Sequence, residues 1–322
     1  MTQTRIVLTG ATGGLGSAVL KHILGLIDPS RLIVSLYNAS KAPATVASAS
    51  LDVRRGDYGD PSTLVAAFEG AQILLLVSYP SIAHELRVNN HINAIDAAKR
   101  AGVQHIFYTS LAFAGPPSSS STVAAVMAAH IDTEAYLKLS GLTYTIIREG
   151  IYSESYPLYL GFFDPSSSAS EIHIPQDGEG GIAWACRDEL GEATARLLVQ
   201  AADKEQVAEQ FKNQTVLLSG PRALSLSQIA GIVSKKLGRD IRVVYVDIEE
   251  YSTSSTTLLK LGPEFAKLWA TTYKALQKGE CSVISPLLEI LLGRKPTEME
   301  EVLNRLLRDF QSAQGTIDQY AK

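Results

Sequence analysis

The feature that most constrains this chain is the run Thr9-Gly10-Ala11-Thr12-Gly13-Gly14-Leu15-Gly16. It follows a β-branched stretch, Arg5–Thr9, that reads as a strand, and it opens Gly16–Leu26, where apolar residues recur at helical spacing. Glycines 10, 13 and 16 therefore fall where a strand turns into a helix. Without a Cβ, the main chain there can approach a ligand closely, and the unpaired N–H groups of a helix N-terminus attract an anion. The reading is a diphosphate cradle formed by Gly10, Thr12, Gly13, Gly14, Leu15 and Gly16. The spacing is G-x-x-G-x-x-G rather than G-x-G-x-x-G. A glycine turn without a ligand is the competing reading, and three in-phase glycines between the first strand and the first helix weigh against it.

The rest of the chain extends that beginning. Leu32–Leu36 and Ile73–Val77 read as strands, the second apolar throughout, as in a parallel sheet covered on both faces. Asp60-Pro61 has the form of an N-cap and first-turn proline for a helix through Phe68. Asn90–Ala101 is helical and stops at Gly102, His105–Thr109 is a strand, Ala124–Leu139 a helix and Thr143–Arg148 a strand. Five or six strands alternating with helices predict an α/β fold with a Rossmann-type doubly wound parallel sheet.

After Gly150 the regularity fades. Pro165–Ser170 and Gln176–Gly181 read as loops, whereas helix Glu189–Ala201 and strand Thr215–Leu218 return to the first domain. Ser225 or Ser227 caps a helix through Leu237, and Arg242–Val246 is a strand. The expected division is a cofactor domain over 1–150, completed by about 182–220. Residues 151–181 and 221–322 then form a smaller, mostly helical C-terminal substrate domain. The acidic segment Thr297–Asp309 has Leu and Val at helical spacing and reads as a docking or oligomer face, which points to a homodimer or a protein partner.

Composition excludes several classes. The net charge of −4 is spread without blocks, so no basic stripe exists for nucleic acid. Cys186 and Cys281 are isolated and lack metal-ligand spacing, so no metal is expected. No leader pattern precedes the first strand. The long uncharged stretch Ile106–Ile131 is broken by Pro116-Pro117 and serines, so it is no membrane span. A cytoplasmic location is the default expectation.

The stretch Ser35-Leu36-Tyr37-Asn38-Ala39-Ser40-Lys41 bears on which dinucleotide is bound. It contains no acid to hold a ribose 2′-hydroxyl, and Asp28 comes too early, before the strand. Donors at Asn38, Ser40 and Lys41, with Tyr37 alongside, favour a 2′-phosphate, so NADP(H) is expected over NAD(H). No arginine stands at the end of that strand in the sequence.

Taken in order, the glycine turn, Arg55-Gly56-Asp57-Tyr58-Gly59-Asp60, Ala97–Val103, Tyr108-Thr109-Ser110-Leu111, His130-Ile131-Asp132-Thr133-Glu134 and Tyr144–Tyr152 resemble one family. It is the NmrA-like group of atypical short-chain dehydrogenases, and within it the chain resembles most the NAD(P)H-dependent quinone oxidoreductase branch. The resemblance covers the first half well and continues more weakly through Ser225–Val246 and Gly293–Pro296. It implies that Asp57 faces the adenine with Tyr58 beside it, and that Val77, Ser78 and Tyr79 line the cofactor. Thr109 and Ser110 would lie under the nicotinamide, with Gly150, Ile151 and Tyr152 as the nicotinamide and substrate wall.

Ordinary short-chain dehydrogenases use a Tyr-x-x-x-Lys pair, and the corresponding slot here holds His130–Glu134. The candidate catalytic residues are thus His130, Glu134 and Ser110. In one reading Glu134, four residues on, raises the imidazole pKa and orients a protonated His130 as a donor to the substrate oxygen. In the other the two form an ordinary surface pair, with His130 serving the cofactor amide or nothing. Tyr79, Tyr152, Tyr156 and Trp184 are the substrate-facing candidates, within an aromatic set that includes Tyr159, Phe162 and Phe163. His84 and His91 read as structural, and Ser119–Ser121 as a loop placed where a lid would lie. The function expected is NADPH-dependent hydride transfer to a quinone or a conjugated or carbonyl-bearing small molecule. A redox-sensing regulator and a secondary-metabolite reductase, epimerase or isomerase are the alternatives.

Overall fold

Short runs of Ile, Val and Leu, buried along their whole length, become the central strands of a parallel sheet because both faces of each are covered. The computed structural model describes residues 3–308 apart from 45, 47, 48 and 50. In chain order the elements that build the sheet are β1 (Ile6–Thr9), α1 (Gly14–Ile23), β2 (Leu32–Leu36), β3 (Asp52–Arg55) and α2 (Pro61–Phe68). They continue with β4 (Ile73–Leu76), α3 (His84–Arg100), β5 (His105–Leu111), α4 (Ala125–Leu139) and β6 (Thr143–Glu149). Beyond lie β7 (Glu171–Pro175), α5 (Arg187–Asp203), β8 (Gln214–Leu218), α6 (Leu226–Leu237), β9 (Arg242–Val246), α7 (Pro263–Gln277) and α8 (Met299–Leu306).

The sheet is ordered β3-β2-β1-β4-β5-β6-β8, and every pairing is parallel. The order reverses direction between β1 and β4, and this switch point is where open α/β sheets bind ligands. One face is covered by α1 and α5, through Leu15, Val19, Leu190 and Leu197. The other is covered by α2, α3 and α4, through Leu64, Phe68, Ala94, Ala98 and Leu137. A third apolar cluster, centred on Tyr156, Trp184, Ile229, Trp269 and Tyr273, draws mainly on the later part of the chain and takes in Phe113 and Met127 from before it.

Two strands escape the apolar pattern. β3 reads Asp-Val-Arg-Arg and is held at the sheet edge by its register with β2. β7 lies between two loop-like segments and pairs in parallel with β9. Helix α6 begins at a capping box, in which Ser225 accepts from the Gln228 N–H and the Gln228 side chain reaches back to the Ser225 N–H. The acidic segment starting at Thr297 requires a correction. Its apolar residues Met299 and Leu303 are buried in the chain's own third cluster and Val302 is buried beside them in sequence, with α8 packed on α6, so that face is already covered. Asp309, at the end of that segment, lies outside the described residues.

Candidate active site

The glycine turn between β1 and α1 is tightest at two positions. Gly10 has φ +65°, and a Cβ there would lie 2.8 Å from the Val77 Cβ; a Cβ on Gly16 would lie 2.1 Å from the Gly10 carbonyl oxygen. Packing alone fixes both. Gly13 is different: its backbone is extended, and a Cβ would meet only the Gly10 carbonyl oxygen, at 3.4 Å. The space before α1 is therefore open, and the helix's first turn carries neither a side-chain cap nor an acid. Arg187, at the start of α5, leans over this opening. Its Nη1 lies 2.9 Å from where a Gly14 Cβ would be, and its Cζ is 5.9 Å from the centre of the Tyr152 ring. Among the described residues its guanidinium has no carboxylate partner. Uncapped N–H groups, open space and an unpaired cation suit a dinucleotide's diphosphate.

At the β2 end the register pairs Leu36 with Arg55. This corrects the reading that no arginine stands there: β3 supplies one from outside the local sequence. The Arg55 side chain is 59% exposed, with Asp60 as its carboxylate neighbour at 3.4 Å. Tyr37 is exposed, and Asn38 Oδ1 accepts from the Ser40 N–H and hydroxyl, closing the turn that carries Lys41. The side chain of Lys41 lies outside the described residues. Asp57 closes its own turn by accepting from the Gly59 N–H. Tyr58 is buried rather than laid open for an adenine, because its hydroxyl is held within hydrogen-bond distance of Thr9 Oγ1 (2.7 Å) and the Val77 carbonyl (3.0 Å) under the glycine turn. Tyr79 packs its ring 6.0 Å from that of Tyr58.

Where β4 and β5 end, a polar cluster links α3 and α4. The Ser78 N–H donates to Thr109 Oγ1, and the Tyr79 N–H donates to His91 Nε2 at 2.8 Å. Arg87 Nη2 contacts Ser78 Oγ at 2.8 Å and His130 Nε2 at 2.9 Å. His130 Nδ1 is 2.8 Å from the Tyr108 hydroxyl, and His91 Nδ1 is 2.8 Å from Thr133 Oγ1. A guanidinium and a backbone amide can only donate, so both Nε2 atoms must accept. Each imidazole is therefore neutral, with its proton on Nδ1. Burial and the nearby Arg87 charge act in the same direction, pushing His91 down to about 3 and His130 well below its ordinary value, where His91 and Arg148 add to the effect.

Two sequence expectations fail here. Glu134 does not touch His130. Its carboxylate accepts from Arg148 Nε (3.1 Å) and Nη2 (2.8 Å) and from the Ser110 hydroxyl (2.6 Å), all buried. Helical spacing puts positions 130 and 134 on one face, but the fully buried Arg148 on β6 is the stronger partner for a carboxylate. His130 is accordingly not a protonated donor beside a carboxylate. Arg148 also donates to the carbonyls of Pro116 and Ser119, which ties down the serine-rich loop.

Beside this cluster opens a cavity of about 250 Å³. Gly150, Ile151, Tyr152 and Leu111 wall it from the sheet side, Arg87, His84 and Ala129 from α3 and α4, and Tyr159, Phe265 and Trp269 from the later chain. His84 meets Asp132 at 2.8 Å across the two helices. Tyr152 thus faces the cavity. Tyr156 and Trp184 do not: they are 0% and 1% exposed in the third cluster, because the chain after Gly150 turns inward and packs Trp184 edge-on to Tyr159. Phe162 and Phe163 line a separate cavity near β7. Sequence reasoning missed Arg87, Arg187, Phe265 and Trp269. Only Arg87 left a signal, four residues before His91 on the same helix face.

The model of the NmrA-like family matches residues 2–303. An NmrA-like family domain-containing oxidoreductase, flvB, of Aspergillus flavus is 32% identical over 94% of this chain and 95% of its own length. Quinone oxidoreductase 2 of Escherichia coli is 32% identical over 94% of this chain and 98% of its own. A solved structure of that type from Escherichia coli, NADPH-dependent and complexed with NADPH, has a TM-score of 0.77 at 29% identity, covering 94% and 99% of the two chains. Triphenylmethane reductase of Citrobacter sp., complexed with NADP(H), has a TM-score of 0.79 at 29% identity with the same coverage.

Proposed function

The chain belongs to the NmrA-like family, and on that premise we propose that it passes hydride from NADPH to a quinone or to another conjugated or carbonyl-bearing small molecule. It is an NAD(P)H-binding oxidoreductase of the type its relatives represent. The observation that carries the finer reading is the apolar, aromatic-walled cavity that meets Gly150–Tyr152 beside Arg87. A flat acceptor fits such walls, and the neighbouring histidines are neutral, as suits an acceptor that takes its proton from water.

The residues divide the work. Gly10, Gly13 and the uncapped start of α1 receive the diphosphate, with Arg187 adding charge. Arg55, beside Leu36, supports NADP(H) over NAD(H) by offering a donor where a 2′-phosphate would meet no acid. Ser78, Thr109 and the Gly150–Tyr152 wall bound the nicotinamide side. The bound cofactor supplies the hydride. Residues 1–150 with about 182–220 act as the cofactor part, and 151–181 with 221–322 as the substrate part, since the cavity takes walls from both. Among the described residues no helix is long and apolar enough to cross a membrane.

The test mixes purified protein with NADPH and a panel of quinones while following absorbance of the reduced nicotinamide. Oxidation well above the protein-free rate is expected for at least one quinone. Tight NADPH binding with no oxidation anywhere on the panel would transfer the case to a redox sensor.

A further inference from the structure

We propose that Arg87 is the catalytic cation of the cavity, the group against which the acceptor's oxygen rests as it becomes negative. The inference rests on the hydride-transfer reading above and names its acceptor class: flat apolar molecules whose reducible end carries an oxygen.

The first observation is charge. Arg87 lines the cavity, yet among the described residues it meets no carboxylate; its partners are Ser78 Oγ and His130 Nε2, both neutral. Buried or half-buried guanidinium groups are normally paired, as Arg148 is with Glu134 in the same protein. An unpaired one at a cavity wall is suited to a negative charge brought in from outside. His84, the other ionisable nitrogen base at this wall, already meets Asp132.

The second observation is orientation. Ser78 Oγ accepts from both Nε (3.2 Å) and Nη2 (2.8 Å), and His130 Nε2 accepts from Nη2 (2.9 Å). His130 is in turn fixed by Tyr108. These contacts occupy Nε and Nη2 and leave Nη1 without a partner among the described residues. A donor held in advance, in a site walled by apolar side chains, stabilises a developing oxyanion far more than a mobile donor in water.

The third is the chemistry. Hydride adds two electrons and one proton's worth of hydrogen to a quinone, so NADPH becomes NADP+ and the quinone becomes a hydroquinone monoanion. The new C–H or O–H bond takes the hydride, and the displaced π electrons become a lone pair on oxygen. That oxygen needs a cation at once and a proton only later, which water supplies on release. With His130 and His91 neutral, Arg87 is the cation the cavity offers.

The test uses 4-nitrophenol as a stable stand-in for the monoanion, bound to the full-length protein with saturating NADP+. Its phenolate is followed by absorbance as pH is varied. In the wild type the bound phenol should ionise about one pH unit or more below the free phenol, a tenfold or greater preference for the anion. Arg87→Gln should abolish that shift and lower kcat for quinone reduction about 100-fold, with NADPH affinity unchanged. Arg87→Lys, which keeps the charge, should retain part of both and serves if the glutamine variant does not fold. Equal ionisation in wild type and variants, or a probe that does not bind the wild type at millimolar concentration, overturns the proposal. So does a loss confined to KM, which would assign Arg87 to docking alone. A lowered ionisation in a protein that fails to oxidise NADPH with every acceptor tried would leave the oxyanion site standing and remove the hydride-transfer reading instead.

Discussion

Replacing Glu134 with glutamine should break the fold's interior rather than retune a proton donor. Glu134 and Arg148 are 1% and 0% exposed and meet through two contacts, at 2.8 and 3.1 Å. Taking away the carboxylate charge strands a guanidinium where water cannot reach it, which costs about 3–5 kcal/mol. The glutamine amide keeps one oxygen, which can still accept from the Ser110 hydroxyl, but sets an N–H donor against the Arg148 guanidinium in place of the second, and so loosens the hold on Pro116 and Ser119 through Arg148. In a chain of this size the loss should lower the melting temperature by roughly 5–10 °C. The assay is thermal and urea unfolding of Glu134→Gln, Arg148→Met and the double variant Glu134→Gln with Arg148→Met. Because the double variant removes both charges, it should be more stable than the sum of the two losses predicts, by about 2 kcal/mol or more. If Glu134→Gln stays within about 1 kcal/mol of the parent while the pH profile of NADPH oxidation shifts, the reasoning is refuted and Glu134 acts on His130.

Further outcomes follow from other buried or unpaired charges. Glu149 is 1% exposed, with Thr194 on one oxygen and, among the described residues, no partner for the other, and burial pushes its pKa up from 4.5 to about 8. A raised acid favours the folded state fully below about 4.5, and that advantage is lost as pH rises through about 8, at up to about 1.4 kcal/mol per unit. Glu149→Gln should therefore flatten the decline of stability between pH 5 and 8 by a few kcal/mol, and parallel stability curves for the two proteins would contradict the assignment. Arg187→Ala should weaken NADPH and NADH alike, about tenfold, whereas the more exposed Arg55→Gln should weaken NADPH alone by roughly threefold to tenfold. Calorimetric titration of both coenzymes into both variants checks the contrast, and an unchanged NADPH to NADH ratio in Arg55→Gln would remove that residue from the 2′-phosphate site.

The strands that sequence reading located are those whose residues are apolar on both faces, such as Leu32–Leu36 and Ile73–Leu76, because burial leaves a direct mark on composition. Asp52–Arg55 and Glu171–Pro175 left none, since each is defined by a neighbour distant in sequence. The site divides in the same way. The glycine turn was legible because its geometry is local. Arg55 reaches the end of β2, and Arg187 the glycine turn, only through sheet register and the placement of α5, and Arg148 displaced His130 as the partner of Glu134 from the next strand. Tyr156 and Trp184 carried the right chemistry for a pocket but were needed in the core. Spacing along a helix names residues that can meet, and tertiary packing decides which of them do.

The account depends on the open cradle at Gly13, and the most direct measurement is calorimetric binding of NADPH to Gly13→Val. A valine Cβ there meets only the Gly10 carbonyl oxygen at 3.4 Å, so the variant should fold with an unchanged circular dichroism spectrum and melting curve. Its side chain would occupy the space assigned to the diphosphate, and NADPH affinity should fall by about 100-fold or more. A folded Gly13→Val protein that binds NADPH as tightly as the parent would place the dinucleotide elsewhere and contradict the account.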